Sequence, residues 1–378
     1  MRILYLVSNL RRSGPINVLK LIIEYIDKKE NEIYVISLSP ESNLSLRDEF
    51  IKMGANCINL NVSRMNLFAI VEKLIYFINK IKPDIIHSHG FRPDFLTVIF
   101  FQRKYHCCST IHNIAPIDYK MNYGNFIGSI MAYIHLNIIK KLKYPVSCSQ
   151  SVKHILYERY RISTLIIQNG VDTDRFIPLD NISKDILRAR LNLPLDKKII
   201  ISTSGFVKRK NHTLIMEAFS NSNGLNNLYL LFLGDGPLWA EIKKFSEDLS
   251  LPCDFRGKVS NVLDYLQASD YFISASLSEG LPMAVLEAGS VGLPLILSDI
   301  PQHREILKDG RLGYLFKPNN IEELRNIFDK ISNEKLDNYL EKSRLTREIV
   351  VNNFSARKMS QKYMALYYKI INIPEKPI

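Results

Sequence analysis

Long apolar runs are missing from this chain. A membrane-spanning helix needs roughly 18 or more consecutive apolar residues, and the sequence holds no such stretch, so no span is expected. The start, MRILYLVSNLRRSGP, places a short apolar run before its arginines, the reverse of a secretory leader, and none is expected. Cysteine is scarce. The five residues (57, 107, 108, 148 and 253) are odd in number and without CxxC spacing, which suits reduced thiols in a cytosolic core rather than a disulfide framework. Acidic residues are also short, 38 against 50 Lys and Arg, for a net charge of +12. That balance favours acidic partners: phosphorylated ligands, anionic lipid or nucleic acid. No zinc pattern, helix-turn-helix or aromatic RNA-binding motif accompanies it, so nucleic acid is not expected. His87 and His89 spell H-x-H, but no third ligand follows at a plausible spacing. We read them as loop histidines lining a cleft and expect no metal.

What the chain does have is two series of alternating strand and helix patterns. Its 378 residues suit two domains, and an apolar share of 46% supports globular cores. Arg2–Val7, Glu32–Leu38, Asn56–Leu60, Asp84–Ser88, Cys107–Ile111 and Val146–Ser149 read as strands with helical segments between them. A second series starts at Lys197–Ser204 and continues through Tyr229–Gly236. Such alternation predicts parallel sheets with helices on both faces. We place a first domain at residues 1–176, a linker at 177–196, a second domain at 197–353 and a closing tail at 354–378. Asp172 and Asp174 spell D-x-D, but NGVD is turn chemistry, and no metal role is assigned to them.

The stretch SLSEGLPMAVLEAGSVGLPLILSD, residues 276–299, carries the most chemistry. A polar loop leads to Pro282, which suits a first helical position, and a short helix follows. A loop feeding a helix N-terminus is an anion site, because unpaired N–H groups and the helix dipole converge there. Glu279 lies just before the helix. Glu287 lies within it, roughly 7.5 Å along the axis from Pro282 at about 1.5 Å per residue. Carboxylates repel phosphate but accept hydroxyl hydrogen bonds. The pattern therefore suits a ligand with a central phosphate and hydroxyl-bearing rings on both sides, which is the layout of a nucleotide sugar.

The pattern S-x-x-E-G-x-P-x-x-x-L-E-A, with its E-x7-E spacing, then G-x-P and Glu305, resembles retaining glycosyltransferases of family 4. The resemblance runs from Arg2 to about Ile371. It implies the GT-B fold: two Rossmann-like domains with parallel sheets facing a cleft, the acceptor on the first and the nucleotide sugar on the second, with the tail 354–378 a C-terminal helix that crosses back to the first domain. It implies a sugar transferred with retention from a nucleoside-diphosphate sugar, UDP-linked by expectation, to a hydroxyl, with the nucleotide sugar as substrate and no cofactor. Glu287 would hold the ribose and Glu279 the sugar. Gly280, Leu281, Pro282 and Met283 would supply N–H groups, and Lys210 with Arg209 would stabilise the departing diphosphate. The basic loop GFVKRKNH brings Gly205 and Lys208 to the donor. Relatives carry an arginine where Phe206 stands, and either Lys208 or Arg209 supplies the missing charge. GDGPLW, from Gly234, is a structural turn in the family. FRGKVS places Arg256, Gly257 and Lys258 beside the base. His112, in STIHN, matches the histidine that reaches the transferred sugar. NLRRSGPIN, with Ser13 and Gly14, matches the loop that holds acceptor or donor phosphate. A sugar-nucleotide epimerase of the same fold and a non-enzymatic basic binding protein remain alternatives.

Charge is concentrated in one region. Between Arg103 and Arg161 stand nine Lys and Arg against two acids, Asp118 and Glu158. Within it, FIGSIMAYIHLNIIKKLKY is an apolar helix-like segment ending in Lys140, Lys141 and Lys143. Such a helix suits an anionic membrane surface. The family resemblance implies a glycan or lipid-linked glycan acceptor for lipopolysaccharide or capsule. We therefore expect a peripheral enzyme on the cytoplasmic face of the inner membrane.

Overall fold

The computed structural model describes residues 1–372 except 43 and 309. Residues 373–378, the end of the expected tail, lie outside the described residues. The chain divides into two compact units, one formed by Met1–Gly170 with the segment starting at Ala356, the other by Val171–Ser355.

The first unit is a seven-stranded sheet ordered β3-β2-β1-β4-β5-β6-β7. Its strands are β1 (Arg2–Val7), β2 (Glu32–Ser37), β3 (Ala55–Asn59), β4 (Ile85–His89), β5 (His106–Ile111), β6 (Pro145–Ser147) and β7 (Leu165–Ile166). Every pairing is parallel. In β1 every residue from Ile3 to Val7 is buried. A parallel strand covered on both faces reads as a continuous apolar run, which is why RILYLV does not alternate. Strand order reverses between β1 and β4, and ligands of open α/β sheets bind at the carboxyl ends of strands at such a switch.

The helix Ala356–Ile371 packs onto this first unit. Tyr363 Oη lies 2.7 Å from Thr110 Oγ1, and Tyr367 Oη lies 2.7 Å from His87 Nδ1 and 3.1 Å from Tyr5 Oη. His87 Nε2 completes its bonding with Thr110 Oγ1 at 2.8 Å. This corrects the reading of His87 as a cleft-lining loop residue. Both histidines belong to β4 itself, and His87 is a fully satisfied core residue.

The second unit carries a six-stranded parallel sheet ordered β10-β9-β8-β11-β12-β13. Its strands are β8 (Lys198–Thr203), β9 (Leu228–Leu233), β10 (Cys253–Phe255), β11 (Tyr271–Ser274), β12 (Leu295–Ser298) and β13 (Gly313–Phe316). Its switch falls between β8 and β11. Residues 177–196, read as a linker, belong to this unit and contain the helix Asn181–Arg190. Asp270 ties that helix down, accepting from Lys184 at 2.7 Å and from Arg188 at 2.5 Å. Asp172 accepts the N–H groups of Asp174 and Arg175 at 3.2 and 3.0 Å, so the D-x-D carboxylate closes a turn.

Candidate functional site

In the second unit, two loops leave the sheet at the β8/β11 switch. The loop after β8 contains a 3-10 turn, Lys208–Lys210. The loop after β11 leads into the helix Met283–Val291, with Pro282 as its cap rather than its first residue. A backbone bond joins the loops, Leu277 N–H donating to the Arg209 carbonyl at 2.9 Å. Side chains then lock them together. Lys210 Nζ lies 2.6 Å from Glu279 Oε1, and Arg209 Nη1 lies 2.8 Å from Glu279 Oε2. Arg209 also donates to the Ser278 carbonyl at 2.6 Å. Of the two cations expected to stand in for the arginine missing at Phe206, Arg209 reaches Glu279, while Lys208 is exposed. Phe206 is fully buried and stacks on His212, with ring centroids 4.2 Å apart.

The electrostatics of this cluster are coupled. Burial penalises the Glu279 charge, but Lys210 and Arg209 outweigh it and hold the carboxyl well below the usual range. Burial also pulls the Lys210 ammonium below its ordinary value, against the attraction of Glu279. Two cations held by one carboxylate leave net positive charge beside a helix N-terminus, whose first-turn N–H groups have no partner within the helix. The arrangement can hold a diphosphate.

The other residues expected to bind the donor belong to the same unit. Gly280, Leu281, Pro282 and Met283 form the entry to the helix, and Glu287 is half-buried within it. Gly205 opens the β8 loop. The GDG turn packs against that loop: a Cβ on Gly236 would lie 2.5 Å from the Phe206 carbonyl oxygen, so only glycine fits. Arg256, Gly257 and Lys258, expected beside a base, follow β10. The Arg256 guanidinium pairs with Asp254 at 2.5 Å and donates to the Leu191 and Asn192 carbonyls, fastening the end of the Asn181–Arg190 helix. Lys258 pairs with Asp235 at 3.1 Å, and the Gly257 carbonyl accepts from Gly234 N–H at 2.7 Å.

In the first unit, a cavity of about 240 Å³ opens at the β1/β4 switch. Ser13, which caps the helix Gly14–Glu24, lines it together with His89 and His112. His89 Nδ1 lies 2.9 Å from His112 Nε2. Burial pushes the His112 imidazole down to about 4, and His89 is also held well below its ordinary value by burial and the neighbouring histidines. A neutral pair shares one proton across the contact, so one remaining ring nitrogen is a donor and the other an acceptor. Asp94, Tyr119 and His135 line the same cavity and were not singled out by the sequence.

The buried histidines set a pH dependence. Burial lowers His87 and His212 to about 3 and His303 to about 4, besides His112. In the unfolded chain they bind protons near their ordinary pKa of about 6.5. Between those values the unfolded state holds more protons, so stability rises with pH. We expect the melting temperature to climb from about pH 4.5 to about pH 7.5, with most of the gain below about 6.5. A flat profile in thermal melts would contradict the buried neutral assignment.

Comparisons with known proteins agree with this fold. Residues 13–175 match the family model described as Glycosyltransferase Family 4, and residues 183–346 match that of Glycosyl transferases group 1. The O-antigen biosynthesis glycosyltransferase WclY of Escherichia coli is 27% identical over 97% of this chain and 98% of its own length. A UDP-Gal:alpha-D-GlcNAc-diphosphoundecaprenol alpha-1,3-galactosyltransferase of Escherichia coli is 24% identical over 82% of each chain. Among solved structures, HepE of Anabaena in complex with UDP and glucose superposes with a TM-score of 0.83 at 16% identity, covering 98% of this chain and 100% of HepE. That likeness concerns the fold.

Proposed function

Because this chain belongs to glycosyltransferase family 4, built on the GT-B fold, we propose that it moves a sugar from a nucleoside-diphosphate sugar to a hydroxyl of a glycan or lipid-linked glycan in surface-polysaccharide synthesis. The observation that carries the proposal is the Lys210–Glu279–Arg209 cluster at the mouth of the Met283–Val291 helix. A departing nucleoside diphosphate gains negative charge as the sugar bond breaks. Cations and N–H groups already aimed at that position lower the barrier without reorganising. Glu279 holds both cations in place and receives the sugar hydroxyls. Glu287 receives the ribose, and His112 positions the transferred sugar. The acceptor attacks on the face the phosphate leaves, and that phosphate takes its proton. The transfer needs no metal, because Lys210, Arg209 and the helix supply the charge. Among the described residues, no group of three or more His, Cys, Asp or Glu could hold one. UDP is the favoured nucleotide, supported by the UDP in HepE and the UDP-galactose in the name of the Escherichia coli relative. A thermal-shift screen of nucleotide sugars, followed by acceptor trials with the hit, tests the proposal. Failure of every nucleotide sugar to bind would overturn it.

The surface of the first unit supports a peripheral enzyme on the cytoplasmic face of the inner membrane. No described helix is long and apolar enough to cross a membrane. The helix Asn125–Lys141 buries Gly128, Ala132, His135, Ile138 and Ile139 on one side. On the other it exposes Phe126 (79%), Ile127 (58%), Ile130 and Tyr133 (71%), an apolar stripe at helical spacing. Lys140, Lys141 and Lys143 stand exposed at its end. Aromatics that enter the headgroup boundary beside lysines that attract anionic lipid make an interfacial helix, with about 1 kcal/mol from each basic residue. We expect co-sedimentation with anionic but not neutral vesicles, lost in high salt and in the Lys140→Gln/Lys141→Gln/Lys143→Gln variant. Protein that stays in the supernatant with anionic vesicles at low salt would point to a soluble acceptor.

A further inference from the structure

The carboxyl ends of β11 and β12 carry a buried polar chain that the reaction outlined above does not use. The parallel ladder between these strands ends at Ser274 and Leu297. Past that point the Ser276 carbonyl lies outside the ladder, and a buried carbonyl left alone is costly. Ser298, the last residue of β12, supplies the bond: its Oγ donates to the Ser276 carbonyl at 2.6 Å. That hydroxyl has then used its one proton, so its oxygen can only accept from His303 Nδ1, 3.2 Å away. His303 Nδ1 also lies 2.8 Å from the Ser298 carbonyl, which accepts in every state. Nδ1 therefore carries a proton, whatever the other ring nitrogen carries. Ser276, Ser298 and His303 are all fully buried.

The chain ends on Glu279. The Ser276 hydroxyl bonds to the Glu279 carboxylate. A carboxylate only accepts, so Ser276 donates, and its oxygen accepts from Ser274 Oγ at 3.1 Å. The same loop is tied on another side by the bond from Leu277 N–H to the Arg209 carbonyl. Glu279 thus stands on two anchors, the basic loop after β8 and the helix Pro301–Leu307 that carries His303. His303 is not a residue chosen for packing alone. Its Nε2 is buried and has no partner among the described residues. Burial holds the ring down at about 4, so Nε2 carries a bare lone pair near neutral pH. An apolar side chain would fill the space without that unpaired nitrogen.

We propose that His303 is a positioning residue of the transfer: by clamping Ser298 it fixes the Ser276 carbonyl, and with it the place at which Glu279 meets the hydroxyls of the donor sugar. His303 itself touches no substrate. The proposal rests on the glycosyltransferase reading and on Glu279 as the group that receives the sugar.

The test compares the full chain with its His303→Asn, His303→Leu and Ser298→Ala variants by isothermal titration with UDP, UDP-glucose, UDP-galactose and UDP-N-acetylglucosamine. The quantity read is the affinity for the preferred UDP-sugar relative to that for UDP, which separates the sugar from the nucleotide. Asparagine places an N–H donor close to where Nδ1 stands, whereas leucine carries none but fills more of the space. His303→Leu should lower the ratio about three- to tenfold, the loss of one hydrogen bond, and His303→Asn should stay within about twofold of wild type. A cavity effect would give the reverse order, because asparagine leaves the larger void. Ser298→Ala should match His303→Leu, and the two together should add little to either alone. In a Glu279→Ala background His303→Leu should leave the ratio unchanged, since the group it positions is gone. Should His303→Leu fail to fold, Ser298→Ala carries the same prediction. Equal ratios in all variants, the reverse order of asparagine and leucine, or a full loss from His303→Leu in the Glu279→Ala background would overturn the positioning role alone. UDP-sugars that bind wild type no more tightly than UDP would also overturn it. Failure of all four nucleotides to bind wild type would bring down the glycosyltransferase reading itself.

Discussion

Lys210→Ala is expected to lower turnover by about 10²–10³-fold, the usual cost of removing one preorganised donor from a developing anion. Lys210 is the inner of the two cations on Glu279, at 2.6 Å. Its side chain is 16% exposed against 24% for Arg209, so it acts in the drier surroundings. Charge stabilisation strengthens as water is excluded. Arg209 keeps its own bonds to Glu279 and to the Ser278 carbonyl, so the loop retains one tie when Lys210 is removed. The loss should therefore appear in turnover more than in acceptor affinity. Initial rates at saturating donor, with acceptor varied, separate the two. Rates within about threefold of wild type would remove Lys210 from the account.

Glu279→Ala should cost stability as well as rate. The carboxylate is 8% exposed and is the counter-charge to two neighbouring cations. Removing it leaves Lys210 and Arg209 facing each other without a counter-charge. Removing one partner from a buried pair typically costs about 3–5 kcal/mol. The loss belongs to the second unit, so urea unfolding should show that unit's transition moving to lower denaturant. A further change of Lys210 to Met in the same variant should recover part of the loss, because it removes the orphaned charge. An unfolding curve identical to wild type would mean that solvent already screens the cluster.

The parts of the fold that follow from local pattern were legible in the sequence. Continuous apolar runs marked β1 and β8, and the loop that feeds the Met283–Val291 helix stood out through Glu279, Pro282 and Glu287. The pairing of Glu279 with Lys210 was not legible, because 69 residues separate the partners and only the sheet brings their loops together. Arg256 was expected beside a base through the resemblance of FRGKVS to a family segment. The bonds of its guanidinium to carbonyls 64 and 65 residues away were not legible. His87 and His89 could not be told apart by alternation, since a parallel strand is buried on both faces. The cavity-lining Asp94, Tyr119 and His135 were hidden for another reason. His135 sits in a helix that otherwise reads as apolar, and Asp94 lies 41 residues earlier. A histidine on the buried face of such a helix was the one available signal.

The central claim is that the second unit holds a nucleoside diphosphate at the helix N-terminus beside Lys210, Glu279 and Arg209. Isothermal titration of UDP and UDP-sugars into the full chain, in buffer containing EDTA, tests it most directly. The account predicts saturable binding without metal, weakened in Glu287→Ala and weakened further in Lys210→Ala. Binding that appears only when manganese is restored, or affinity unchanged in both variants, would contradict it.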